Sequence, residues 1–236
     1  MTKQRFHSKA LPLAAALMFL VMLSIPCAAP AGPTKQEILK ALQQRYLGVN
    51  DIAADYTRIT TSPAMESFFK AASRHRASGR LMFKKPNQLT LNQLEPRPEK
   101  LVTDGVTVWW YIPADNKVQR YSGLDLFAEL KPFVDFLGGL ANLEDRFAVE
   151  LTQGEEVPNA IHELVLLPAK RGAGPQKITL WVDVRDYTLV GFRLTSVLKE
   201  TTDFHLENIQ YNQGLRGDRF VFQIPPGTEV IDIESQ

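Results

Sequence analysis

Leu101-Val102-Thr103-Asp104-Gly105-Val106-Thr107-Val108-Trp109-Trp110-Tyr111-Ile112-Pro113 is the stretch on which the fold turns. Asp104-Gly105 is a strong hairpin dipeptide when, as here, β-branched and aromatic residues flank it. Strand side chains alternate between faces, so Val106, Val108, Trp110 and Ile112 share one face and Trp109 and Tyr111 take the other. A half-solvated strand is polar on its wet side; both faces of this one require apolar neighbours. After the Pro113-Ala114-Asp115-Asn116 turn, Val118 to Tyr121 reads as the returning strand.

The period of two extends outward in both directions. Upstream it runs through Ile52, Ala54 and Tyr56, through Ala77, Gly79, Leu81 and Phe83, and, past a Lys85-Pro86-Asn87 turn, through Leu89 and Leu91. Residues 60–76 break the rhythm, as a long loop that could hold a helical turn around Met65 to Ala72. Downstream it resumes at 147–151, 161–167, 178–182, 188–197, 204–209 and 220–224, with turns at 154–158, 172–175 and 185–186. Two segments follow the helical period instead. Thr34-x-x-Glu37 is a capping box ahead of Ile38, Leu39, Leu42 and Tyr46, and Gly48 ends that helix. The second spans Asp125 to Ala141, with Leu126, Leu130, Phe133, Phe136 or Leu137, and Leu140 on one stripe, Pro132 dividing it and Gly138-Gly139 loosening its end.

The expectation is a mainly β chain with some α. About ten or eleven hairpin-linked strands form one antiparallel sheet, curled into a barrel or half-barrel whose opening the helices cover. The second helix carries more apolar residues than a surface helix needs, Phe127, Phe133 and Phe136 among them. Either it packs inside a closed sheet, or sheet and helix bound a hydrophobic cavity.

The N-terminus reads as a targeting segment. Lys3, Arg5 and Lys9 precede an apolar run from Leu11 to Ile25, shorter than the roughly 20 residues of a spanning helix. Ala29-x-Ala31 then fits signal-peptidase cleavage before Gly32. Two rival readings are a retained membrane anchor and acylation of Cys27, although acylation wants a small residue where Pro26 stands. Removing residues 1–31 leaves one domain, 32–236. It takes three bases from the 27 Lys and Arg and none of the 26 acids, so the mature net charge is −2. Cys27, the single cysteine, leaves with it, which removes disulfides, thiol nucleophiles and thiolate metal sites from consideration.

Charge this balanced argues against nucleic acid, which demands clustered uncompensated bases. Chemistry-bearing patterns are missing as well. His75, His162 and His205 stand far apart without metal-ligand spacing, and no nucleophile elbow, P-loop or dinucleotide fingerprint occurs. Asp183, Asp186 and Asp203 sit at strand ends, where acids form turns more often than catalytic pairs. The expectation is a protein that is not an enzyme.

The order of the motifs adds a resemblance. An opening amphipathic helix leads to Val49-Asn50-Asp51-Ile52-Ala53-Ala54-Asp55-Tyr56-Thr57, then Ser78-Gly79-Arg80-Leu81-Met82-Phe83-Lys84-Lys85-Pro86-Asn87, then the 101–113 hairpin. The closing stretch is Phe220-Val221-Phe222-Gln223-Ile224-Pro225-Pro226-Gly227-Thr228-Glu229-Val230-Ile231. Over nearly the whole mature chain this succession resembles the LolA family, periplasmic carriers that move lipoproteins from the inner to the outer membrane of Gram-negative bacteria. The resemblance implies an incomplete antiparallel barrel with a helical lid over an apolar cavity for acyl chains, and no cofactor. Its implied partners are acylated lipoproteins, an ATP-driven inner-membrane extractor, and an outer-membrane receptor or the outer membrane itself, served by a monomer in the periplasm. Apolar residues placed around the acyl chains are Tyr56, Leu81, Phe83, Leu89, Leu91, Trp110, Leu130, Phe133, Phe136 and Leu137. Family members often hold the lid with an Arg before the turn proline; Lys85 stands there, a charge without the planar fork. Leu89-Thr90-Leu91 replaces an Arg-aromatic pair common after that turn, and the 60–76 segment is long. Such departures suit a divergent carrier, or a relative that carries or senses another lipid or a glycolipid.

Overall fold

The computed structural model describes residues 33–63, 74–123, 134, 136–152, 161–169 and 175–233. The expected signal segment, most of the second helix with Leu130, Pro132 and Phe133, and the 154–158 turn lie outside the described residues. Residues from Pro33 onward form one compact unit, and no described helix is long and apolar enough to cross a membrane.

Twelve strands make one sheet. In chain order they are β1 (Asp51–Thr61), β2 (Arg74–Lys84), β3 (Gln88–Glu95), β4 (Glu99–Thr103), β5 (Thr107–Ile112) and β6 (Lys117–Ser122). Then come β7 (Phe147–Thr152), β8 (Ile161–Pro168), β9 (Lys177–Asp183), β10 (Leu189–Thr195), β11 (Thr201–Tyr211) and β12 (Glu229–Ile233). The spatial order is β12-β6-β5-β4-β3-β2-β1-β11-β10-β9-β8-β7. Two antiparallel meanders, β1–β6 and β7–β11, are thus sewn together by the β1–β11 pair, and β12 and β7 are left as edges of an open sheet.

The quoted hairpin forms as its sequence demands. Asp104 Oδ1 accepts from the Val106 and Thr107 N–H groups at 2.8 and 2.9 Å, and Gly105 sits at φ +99°, where a side chain is strained. Val106 belongs to this turn and is solvent-exposed, not on the strand face assigned to it. Strand pairing also reaches further than the rhythm suggested. Thr60 pairs with His75 and Thr61 with Arg74, so both ends of the 60–76 segment are sheet; residues 64–73 lie outside the described residues.

Helix α1 (Lys35–Tyr46) starts at the Thr34–Glu37 capping box and buries Ile38, Leu42 and Tyr46 against the inner face of the sheet. The Tyr46 hydroxyl accepts from the Leu189 N–H at 2.8 Å and lies 3.2 Å from the Tyr211 hydroxyl. Burial pushes its ionisation well above the ordinary phenol range. Lys35 Nζ donates to the Val149 carbonyl and Arg45 to Thr188 Oγ1, so the helix is tied to the second meander at both ends.

The chain's end differs from expectation. Phe220 to Ile224 is not a strand: Gly217–Phe220 is a 3-10 turn, and the segment after it crosses the outer face of β3–β6 without joining the sheet. Phe220 is fully buried, Thr90 Oγ1 donates to the Arg219 carbonyl at 2.9 Å, and the Phe222 ring lies 5.7 Å from Trp109 and 5.5 Å from Tyr111. This strap is the apolar neighbour that Trp109 and Tyr111 called for. It ends in β12, parallel to β6 and joined to it by the Arg120–Asp232 ion pair.

Asp51 fixes the strap's departure. Its carboxylate, in a residue only 3 % exposed, accepts from the Gln213, Gly214 and Leu215 N–H groups at 2.7, 3.0 and 3.1 Å. Asp51→Ala strips a buried charged acceptor from three donors and is expected to cost about 3 kcal/mol, read as a lowered denaturant midpoint. Unchanged stability would show that the strap holds without it.

Candidate functional site

Register aligns the inner-face residues of the first meander in rows. Ile52, Phe83, Leu89, Thr103 and Val108 form one. Ala54, Leu81, Leu91, Leu101 and Trp110 form the next. The second meander contributes Leu164, Leu166, Ile178, Leu180, Val182, Phe192, Phe204 and Leu206 to the same core. Val134 and residues 136–138 are helical, and Val134, Phe136, Leu137 and Leu140 pack into that core.

The structure divides the acyl-lining candidates into two groups. Tyr56, Leu81, Phe83, Leu89, Phe136 and Leu137 are buried in close packing. An aromatic chain runs through them: Phe136 contacts Phe192 at 5.5 Å, Phe192 stacks on Phe204 at 4.8 Å, and Phe204 meets Tyr56 at 5.7 Å. Leu91 and Trp110 are only half-buried, and so are Leu101 beside them and Tyr121 on β6. The inner face is therefore filled under α1 and residues 134–140 and partly open along β3–β6. Leu130 and Phe133 lie outside the described residues. Leu101 and Tyr121, which the strand pattern did not single out, become evident only once register places Leu101 between Leu91 and Trp110 and Tyr121 beside Val108.

Lys85 sits in the β2–β3 turn, and its Nζ donates to the Tyr46 carbonyl at the C-terminal end of α1, 3.4 Å away. Burial lowers its proton affinity. Together with Pro86, Asn87, Gly138 and Arg146 it lines a cavity of about 190 Å3. Gly138 passes so near the turn that a Cβ there would lie 3.2 Å from the Pro86 carbonyl oxygen. A larger cavity of about 260 Å3, between α1 and residues 140–145, is mostly polar in its side chains.

The strand-end acids are occupied structurally. Asp183 accepts from Arg185 and is held down to about 2 by those bonds. Asp186 accepts from Thr188, and Asp203 pairs with Arg193. Trp181 stacks on His205 at 5.3 Å over Gly191, where a Cβ would meet the Phe204 carbonyl at 2.6 Å. His162 lies beside Tyr187, and burial lowers its proton affinity. Among the described residues no group of His, Asp and Glu could hold a metal ion.

The sheet is thus open and mostly antiparallel, with an apolar inner face that is partly open. The family described as outer membrane lipoprotein carrier protein LolA matches residues 49–223, from the start of β1 into the strap. The chain belongs to the LolA family. A relative from Pasteurella multocida, named outer-membrane lipoprotein carrier protein, is 25% identical over 191 residues, covering 81% of this chain and 85% of its own. One of the same name from Vibrio parahaemolyticus is 24% identical over 230 residues, covering 98% of both chains. Among solved structures, an uncharacterized conserved protein from Thermus thermophilus superposes with a TM-score of 0.50 at 13% identity, over 84% of this chain and 98% of that one. A LolA superfamily protein from Nitrosomonas europaea gives 0.44 at 15% identity, over 80% and 98%. Family membership and the observed sheet agree on architecture.

Proposed function

We propose that this chain is a periplasmic lipoprotein carrier, exported by removal of residues 1–31, that takes acyl chains onto the inner face of its sheet. The observation that carries the reading is the half-buried row Leu91–Leu101–Trp110, continuous with a fully packed apolar core. Covering about 300 Å2 of acyl surface at ~25 cal/mol per Å2 supplies about 7 kcal/mol before ordering costs. That is enough to hold cargo in water and little enough to release it.

Longer or additional chains require the space that Phe136 and Leu137 fill. In this reading residues 136–140 are the segment that moves, because at Gly138 it meets the Lys85–Asn87 turn through backbone, without side-chain interlock. Lys85 then works from α1's last carbonyl rather than as a rigid fork. An ATP-driven inner-membrane extractor loads the carrier, and an outer-membrane receptor or the membrane itself unloads it; the carrier catalyses no reaction of its own.

The test mixes mature protein, residues 32–236, with inner-membrane vesicles from its own source, with and without ATP. ATP-dependent appearance of acylated lipoproteins in a soluble complex is the expected result. Release of no lipoprotein, with a lipid or glycolipid found in the purified protein by mass spectrometry, would replace lipoprotein cargo by that lipid. Neither would mean that the inner face carries nothing.

A further inference from the structure

The inner face changes character along β1. Ile52, Ala54 and Tyr56 are buried and apolar or nearly so; the next inward position is Arg58, paired across the sheet with Ala77 on β2 and Phe204 on β11, both buried. A guanidinium facing inward beside such residues calls for a compensating charge. Arg58 has one hydrogen bond to the described residues, from Nη2 to the Gln93 amide oxygen at 2.9 Å, which is neutral. Gln93 is itself buried and fixed, since its Nε2 donates to the Arg97 carbonyl at 3.0 Å.

The acid that shares this corner is committed elsewhere. Glu99 accepts from Arg97 Nε at 2.9 Å on one oxygen and from Trp110 Nε1 at 3.2 Å on the other. Among the described residues, no carboxylate forms an ion pair with Arg58. Gln93 follows Leu91 by two positions on the same face of β3, and Glu99 is bonded to Trp110, so the guanidinium stands at the end of the half-open apolar row. Apolar surface ending in a half-buried cation that forms no ion pair with a described carboxylate is the complement of an amphiphile with an anionic head.

We propose that Arg58 is the headgroup site of the groove, binding an anionic oxygen (a phosphate or a carboxylate) at the head of an amphiphile whose chain lies along Leu91, Leu101 and Trp110. This rests on the reading of the inner face as an acyl-binding surface, and adds to lipoproteins, whose ester- and amide-linked anchors carry no charge at the chain heads, a second cargo class with negative charge next to its chains. Gln93 is a positioning residue that aims the guanidinium.

Mature protein is titrated with cis-parinaric acid and with its methyl ester, which share a fluorescent chain and differ in head charge. The acid is expected to bind about tenfold more tightly than the ester, with the gap shrinking as salt rises. Arg58→Gln should bring the acid to the ester's affinity and leave the ester unchanged, while Arg58→Lys keeps most of the preference. Competition by dodecyl phosphate against dodecanoate tells which anion is preferred. Equal binding of acid and ester by the unaltered protein, or equal loss of both in Arg58→Gln, would overturn the headgroup site alone. If the unaltered protein binds neither probe, the carrier reading falls with it.

Discussion

Leu91→Asp is expected to weaken acyl binding by at least about a hundredfold, because seating a methylene chain against a carboxylate costs about 3 kcal/mol or more in desolvation. The folded sheet should survive it. Leu91 is half-buried, so the new carboxylate reaches water in the empty protein, and the stability cost is about 1–2 kcal/mol. Leu94→Asp is the matched control: Leu94 lies on the same strand with its side chain on the opposite face, 57 % exposed. It should leave both binding and stability unchanged. Binding of the methyl ester probe, lipoprotein release from vesicles and a thermal melt report on the two variants together. Full binding in a folded Leu91→Asp protein would move the cargo off the β3–β6 face.

The same substitution at Leu81 or Phe83 would be uninformative, because both are packed under α1 and residues 134–140 and an acid there unfolds the protein. That difference could not be read from the chain. Leu81 and Leu91 are paired neighbours in one row and share strand period, residue type and face. What separates them is where α1 and residues 134–140 lie across the sheet, a tertiary fact with no local signature.

The strand meanders themselves were legible because each signal is local. Alternation at 77–83 and 147–151, the Asp104-Gly105 turn and the Thr34–Glu37 capping box all form where the pattern puts them. The C-terminal end misled for a physical reason. Phe220, Phe222 and Ile224 alternate like a strand, but Pro225 and Pro226 follow with no donors for a ladder, and the two rings serve to cover Thr90, Trp109 and Tyr111. The strand that does pair, Glu229–Ile233, interleaves acids with apolar residues at an edge and is weak as a sequence signal. Its parallel register on β6 depends on the strap's path. Arg58 was hidden differently: it is one cation among 27 Lys and Arg, and although the alternation of β1 puts it on the inner face, only its pairing with Ala77 and Phe204 shows that its neighbours there are buried and apolar.

Phe192→Ala should be among the most damaging single truncations, costing about 4 kcal/mol. Its ring is fully buried, stacked on Phe204 at an interplanar angle of 14° and touching Phe136. Phe136→Ala removes a ring just as buried, yet its consequences should differ if residues 134–140 form the mobile cover. Losing the ring-to-ring contact, worth about 0.5–1.5 kcal/mol beyond area, lowers the cost of lifting that segment. Acyl affinity then rises several-fold, because less binding energy goes into opening. The two substitutions share that contact, so their stability effects should be non-additive by about 1 kcal/mol in a double-mutant cycle. Phe192→Ala also hollows the sheet under the groove, so it should lose stability without the clean gain in affinity seen for Phe136→Ala. A Phe136→Ala protein whose affinity falls, with strict additivity in the cycle, would make residues 134–140 part of the permanent core and leave Leu91, Leu101 and Trp110 as the whole of the cargo surface.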